Sequence, residues 1–253
     1  MTDPMPPASR SAGMSSTLPA ALVLAAGLAL GGQLMGAGFS RMRTADRTVT
    51  VKGVAEREVK ADLAIWPLRL SASDDDLARA NQALARSVQL VRGFLTAQGL
   101  DTAGTEITLQ EFGVQDTRST GMMNTARYLI KVALLVRSRD VDRVQAASQQ
   151  VADLVRDGVV LTSGQEYGTG GPTFVFTGLN AIKPPMIAEV TARARESAEQ
   201  FARDAGSPLA GIRSASQGVF EILPRDQAMG ISEESQVMKR VRVVSTVVYG
   251  LRD

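Results

Sequence analysis

The alternation of hydrophobic and polar positions changes period several times along this chain, and each change predicts an element. From Leu18 to Phe39 there is no alternation: Leu18, Ala20, Ala21, Leu22, Val23, Leu24, Ala25, Ala26, Leu28, Ala29, Leu30, Leu34, Met35 and Phe39 are interrupted by glycines and one amide, Gln33. The thirty residues between Arg10 and Arg41 carry no charge. Twenty-two helical residues reach roughly 33 Å, enough to cross a hydrocarbon layer of about 30 Å. A buried globular helix should show a polar face, and this one has little of it. The expectation is an uncleaved signal-anchor or transmembrane helix over 17–40, behind a flexible tail over 1–16 with Pro4, Pro6, Pro7 and four serines. A cleaved signal peptide is the second reading, since Gly36-Ala37-Gly38 supplies small residues for a peptidase.

Beyond Arg47 the periods are two and three-to-four. Thr48–Ala55 alternates through Val49 and Val51 to a break at Gly53, and Val59–Ser73 continues as a strand with an edge or bulge at Pro67. Leu77, Ala80, Leu84, Val88, Val91 and Leu95 repeat at helical spacing and predict a helix over Leu77–Gln98 that Gly99 ends. Strand runs follow at Glu106–Gln115 and Tyr128–Val136, joined by a polar hairpin loop over Asp116–Thr125. A helix at about Val141–Val155, capped by Asp140, leads to a strand over Pro172–Thr177 and a helix over Pro184–Ala205, which Gly206 and Pro208 stop. Ile212–Leu223 and Val237–Tyr249 close the chain as strands. Element order therefore predicts a mixed α+β fold of two β-α-β-β units, about 47–137 and 172–250, joined by the helix at about 140–156.

Composition narrows the chemistry. The chain has 253 residues, no histidine and no cysteine. That excludes Ser-His-Asp and Cys-His catalysis, zinc held by His or Cys, cysteine-held iron–sulfur clusters and disulfides. Carboxylate chemistry, Ser/Lys pairs and oxygen-ligated metals remain. A net charge of +2 and eleven aromatic residues give no footprint for a nucleic-acid partner.

Few residues invite a functional reading. Asp74-Asp75-Asp76 is three carboxylates in a row, and it is also an acidic cap ahead of a helix. Glu56, Glu58 and Asp62 are the carboxylates best placed for hydrolytic work, although Arg57 and Lys60 beside them suggest surface pairs. Gly164, Gly168, Gly170 and Gly171 surround Tyr167 without the spacing of a phosphate loop, and read as a turn. Lys239-Arg240-x-Arg242 reads as a charged guard on an exposed strand edge. Gly27/Gly31 and Gly32/Gly36 are G-x-x-x-G pairs that favour packing between membrane helices. No catalytic residue, cofactor site or metal site is expected.

An ordered series of motifs runs from Val49-Thr-Val-Lys-Gly53 through Glu56 and Val59-Lys-Ala-Asp62-Leu-Ala to Tyr128-Leu-Ile-Lys-Val and Arg139-Asp-Val-Asp142-Arg-Val. Ala192-Arg193, Ala198, Phe201-Ala202 and Gly206 follow, then Ile212-Arg-Ser-Ala-Ser-Gln-Gly218-Val-Phe and Val241-Arg-Val-Val-x-Thr-Val-Val-Tyr249. In this order they resemble the SIMPL-domain proteins of bacterial envelopes, with Gln110–Met123 fitting the pattern least well. The resemblance implies a SIMPL-like α+β domain over 41–253, residence in the periplasm, and no established catalytic residue to carry over. Asp62, Asp142 and Gly206 fall on family positions, and their physical roles read as structural: strand-start polarity, helix capping and a helix stop.

The expected protein is thus membrane-anchored, non-enzymatic and self-associating, with a role in envelope integrity or stress tolerance. Its partners are the inner membrane through 17–40 and further copies of itself, through valine-rich edges at Thr48–Ala55 or Val243–Tyr249. A carboxylate hydrolase or small-ligand binder of the periplasm is the alternative. Arg41, Arg43 and Arg47 on the C-terminal side oppose export by charge count, whereas long domains translocate largely regardless of such charges.

Overall fold

The computed structural model describes residues 23–35, 47–100, 105–120, 126–162 and 171–252. The expected tail over 1–16, both ends of the 17–40 segment, Gly36, Gly164, Tyr167, Gly168, Gly170 and the hairpin residues 121–125 lie outside them. Within 17–40, residues 23–35 form a helix, α1, exposed along its whole length. Among the described residues no helix is long and apolar enough to cross a membrane.

Among the described residues, eight strands and four further helices follow: β1 (Thr48–Lys60), β2 (Leu63–Asp74), α2 (Leu77–Ala97), β3 (Thr105–Asp116), β4 (Tyr128–Ser138), α3 (Val141–Gln149), α4 (Ala152–Arg156), β5 (Thr173–Val175), α5 (Leu179–Asp204), β6 (Leu209–Gln217), β7 (Glu221–Pro224) and β8 (Met238–Leu251). They make two four-stranded sheets, β3-β4-β2-β5 and β1-β8-β6 with β7 also on β8, so the fold is α+β. Contact density divides the chain into two units. One holds the described residues up to Val51, Arg195–Ser216 and those from Thr246; the other holds Lys52–Ala194 and Gln217–Ser245.

In the larger unit, α2 covers β2 and β4 with Ala80, Leu84, Val91 and Leu95. These meet Trp66, Leu68, Leu70, Ile130, Val132, Leu134 and Val136 in one buried cluster. Alternation puts those strand residues on one face. Asp76 caps α2 by accepting the Arg79 N–H at 3.0 Å, and Gly99 ends it with φ +71°. Beyond Gly99, the Leu100 N–H returns to the Leu95 carbonyl at 2.8 Å. β2 is paired with β4 along its length, but its other side meets β5 only over Leu63–Ile65 and the 160–162 segment at Ser71 and Arg69. Pro67 sits in the gap between these short partners, where a missing N–H costs nothing.

A second cluster in the same unit joins Ala55, Val59, Met186, Val190, Val241 and Val243. Here α5 lies against β1 at close range. A Cβ on Gly53 would come within 2.0 Å of the Val190 carbonyl oxygen, so only glycine fits the break in the β1 pattern. In the smaller unit, α5 continues its buried stripe with Ala198 and Ala202, and the Leu251 N–H ties β8 to the Arg47 carbonyl at 2.8 Å. Gly206, at φ +64°, stops the helix as expected.

Several sequence expectations are corrected. Val59 and Lys60 belong to β1, and the turn falls at Ala61-Asp62. The connecting helix is broken between Gln149 and Ala152 into α3 and α4. α5 starts five residues before Pro184, so both prolines lie inside it in the second turn, where each forgoes one i→i−4 hydrogen bond. The Ile212–Leu223 run is two strands on one partner, parted where the Gly218 N–H bonds the Val244 carbonyl at 2.8 Å. Most consequential, Val243–Tyr249 is no edge: β8 lies between β1 and β6, whereas β1 does end its sheet.

Gly53→Ala is expected to cost about 2–3 kcal/mol by forcing α5 off β1. A lower urea midpoint at unchanged m-value checks this; an unshifted midpoint would contradict the close approach.

Candidate functional site

Asp74, Asp75 and Asp76 converge in sequence but not on a common point. Asp76 caps α2. Asp74 accepts the Asp76 N–H at 2.9 Å and the Arg79 Nε–H at 3.0 Å; the Arg79 guanidinium first, and that N–H second, hold its carboxyl below the ordinary aspartate value. Asp75 turns the other way, taking the Arg127 N–H at 3.0 Å and an Arg118 guanidinium N–H at 3.3 Å. Arg127 in turn donates to Asp116 at 3.2 Å and stacks over the Tyr128 ring. The trio is a cap plus a tie from α2 to the β3–β4 hairpin. Among the described residues no group of three or more acidic side chains is placed to hold a metal ion.

Glu56, Glu58 and Asp62 are separated in the same way. Glu56 and Glu58 are exposed on β1. Glu56 pairs with Arg242 at 3.5 Å, and Glu58 adds to the field that, after Asp226, raises the Arg225 guanidinium. Asp62 lies past the end of β1, where one carboxylate oxygen accepts the Thr177 N–H at 2.8 Å and the other its hydroxyl at 3.0 Å. Its own N–H donates to the Val175 carbonyl at 3.0 Å. Glu56 and Asp62 thus face different partners and Glu58 is exposed, whereas general acid–base work by a carboxyl pair needs two such groups around one bond.

Asp142 was expected to cap a helix. The cap of α3 is Asp140, which accepts the Arg143 N–H at 3.2 Å, while Asp142 forms an ion pair with Lys60. The basic run on β8 is also not an edge guard. Lys239 is fully buried, opposite Pro224 of β7, and its ammonium donates to the Glu233 carbonyl at 2.7 Å while pairing with the same residue's carboxylate. Arg240 donates to the Arg225 carbonyl at 3.1 Å, and the Gln236 side chain brackets Asp226 through its N–H and carbonyl. These contacts pin the β7–β8 connection. Nothing in the period-two pattern of β8 distinguishes a buried lysine from a surface one, so its position alone hid it.

On α1, Cβ atoms at Gly27, Gly31 and Gly32 would meet nothing within 4 Å. Gly171, the described member of the glycine cluster, is likewise in open space. In the smaller unit an open groove of about 320 Å³ lies at the end of α5, between Ala202 and Leu209, with Glu199 and Arg203 on its rim. None of the residues singled out for chemistry lines it except Gly206, which is there as the helix stop.

Residues 49–249 match the family model described as SIMPL, protein of unknown function (DUF541). No curated protein matches the chain. Among solved structures, the chain is similar to the crystal structure of an amidase of the hydantoinase/carbamoylase family from Burkholderia phymatum. That similarity has 18% identity and a TM-score of 0.25, and it covers 58% of this chain and 38% of that one. So low a TM-score carries nothing over.

Lys239 gives a test of what the buried polar groups are for. Glu233→Ala leaves a fully buried ammonium without its counter-charge, whereas Lys239→Met removes the buried charge and leaves the Glu233 carboxylate, 30% exposed, within reach of water. Glu233→Ala is expected to cost about 3 kcal/mol, and Lys239→Met to stay within about 1 kcal/mol of the parent. Equal losses in denaturant titrations would contradict the assignment.

Proposed function

The chain belongs to the SIMPL family, and from that premise we propose that it is a membrane-anchored, non-enzymatic envelope protein that self-associates and supports envelope integrity or stress tolerance. The observation that carries the reading is the uncharged stretch of thirty residues joined to a domain in which each candidate carboxylate cluster is engaged in contacts of the fold. A carboxylate hydrolase would need at least one carboxyl group left over and faced by a second. Apart from Glu58, which is exposed on β1, the acidic residues singled out by the sequence instead meet arginines, lysines, a threonine hydroxyl and backbone N–H groups.

In this reading residues 17–40 form a single-pass anchor in the inner membrane and the domain from residue 41 lies in the periplasm. The flanking arginines at 41, 43 and 47 are outweighed because a domain of this length translocates largely regardless of them. Gly27, Gly31, Gly32 and Gly36 present small surfaces at four-residue spacing, which suits packing between anchors. Tethering in one plane raises the effective concentration of the domains and favours closed assemblies.

The full-length protein is expected to stay with the inner membrane through carbonate extraction. A reporter fused after Asp253 is expected to be active only as a periplasmic type, and detergent-solubilised protein to show species larger than a monomer by mass photometry. A mature N-terminus near Phe39 would overturn the anchor, activity of a cytoplasm-only reporter would overturn the topology, and a single monomeric species would overturn self-association.

A further inference from the structure

Beyond Ile107, which packs against the core, the core face of β3 is uncovered. β3 ends its sheet, with β4 on one side and, among the described residues, no strand on the other. Its partners across the ladder are among the most buried residues of the protein, with Leu109 opposite Leu134, Phe112 opposite Val132 and Val114 opposite Ile130. Paired residues share a face, so Leu109, Phe112 and Val114 point to the side that α2 covers over β2 and β4. Yet they are 56%, 58% and 48% exposed. A bulge between Leu109 and Glu111 keeps them together, because the extra residue shifts the alternation by one and returns Phe112 and Val114 to the face of Ile107 and Leu109.

The open side of the strand can be assigned residue by residue. The Thr117 N–H donates to the carbonyl of Arg127, which lies directly opposite in the register set by Asp116 and Tyr128. Antiparallel ladders alternate, so Glu111, Gly113 and Gln115 bond towards β4, and Phe112, Val114 and Asp116 aim their backbone N–H and carbonyl groups outwards. Gly113 sits between the two exposed apolar residues. Its own fold does not ask for glycine: φ is not in the left-handed region, and a Cβ there would meet nothing within 4 Å. A glycine inside a strand lowers stability and often marks the close approach of another backbone.

We propose that β3 is a self-pairing edge: two copies join antiparallel about a twofold axis through Gly113, with Phe112 of each copy opposite Val114 of the other. This rests on the self-association reading and names its surface. Among registers that use the outward-facing backbone groups, this one pairs both exposed apolar residues with each other. An axis at Phe112 would set Val114 against Gln110, and an axis at Val114 would set Phe112 against Asp116. Centred on Gly113, Glu111 falls opposite Gln115, so no like charges meet. The occupant is a second copy rather than an unrelated peptide because the strand is complementary to itself in sequence, apolar to apolar and acid to amide. An aromatic–β-branched pair on each side of the axis and a glycine at its centre form the self-complementary patch that an isologous contact requires.

The chain has no cysteine, so a single introduced thiol reports this contact without background. At the axis the two Gly113 positions form a non-hydrogen-bonded pair with Cα atoms about 4.5 Å apart, within disulfide range. In full-length protein under mild oxidation, Gly113→Cys is expected to form a disulfide-linked dimer at least tenfold faster than Ala78→Cys, an exposed control on α2. Adding Phe112→Asp is expected to slow that cross-link at least tenfold. A Gly113→Cys protein that cross-links no faster than the control would overturn the proposal. If the parent still forms oligomers in that case, self-association stands and only this edge is wrong. If the parent is monomeric, both fall together.

Discussion

The larger unit depends on a corner at Ala61-Asp62. There the chain leaves β1, whose hydrogen-bonding partner is β8, and enters β2, whose partners are β4 and β5. Two strands adjacent in sequence thus enter different sheets, and a turn of two residues must absorb the change. The Ala61 N–H goes to the Val237 carbonyl at 2.8 Å and the Asp62 N–H to Val175 at 3.0 Å, so each turn residue is bonded to a different returning segment. The Asp62 carboxylate then takes both donors of Thr177, where the chain passes from β5 towards α5. A charged acceptor holding two bonds is stronger than a neutral one, and it fixes the entry of α5 and hence its approach to Gly53.

Asp62, the Asp74–Asp76 run, Asp140 and the Glu233–Lys239 pair form one class, while Glu56 and Glu58 stay exposed along β1. Asp62 clamps the start of β2 to the start of α5. Asp74, Asp75 and Asp76 clamp the start of α2 to the β3–β4 hairpin, Asp140 begins α3, and the Glu233–Lys239 pair holds the β7–β8 connection. They stand at junctions between elements, where backbone N–H groups without ladder partners need acceptors.

Much of this was legible in the sequence. The α2 stripe from Ala80 to Leu95, an acidic cap within Asp74–Asp76, the cap at Asp140 and the stops at Gly99 and Gly206 follow from local rules of spacing and backbone conformation, although Leu77, counted in the stripe, is exposed. What period and spacing could not convey was which strand lies beside which. β1 and β8 both read as valine-rich strands, and only the long-range pairing makes one an edge and the other an interior strand that buries Lys239. The slip in β3 was visible as apolar residues at 107, 109, 112 and 114, which fit no single period, but its meaning needs the register against β4. Asp62 likewise carries no sign in the sequence of Thr177, which lies 115 residues away.

The account turns on whether these carboxylates are junctions, and Asp62 decides it. The most direct measurement is the unfolding free energy of Asp62→Ala, together with hydrogen exchange at the Thr177 amide. Loss of two hydrogen bonds to a charged acceptor predicts a fall of about 3 kcal/mol. Exchange at Thr177 is expected to quicken ahead of the amides of β4. A variant as stable as the parent within about 0.5 kcal/mol, with Thr177 still protected, would contradict the account and leave the Asp62 carboxylate free for other work.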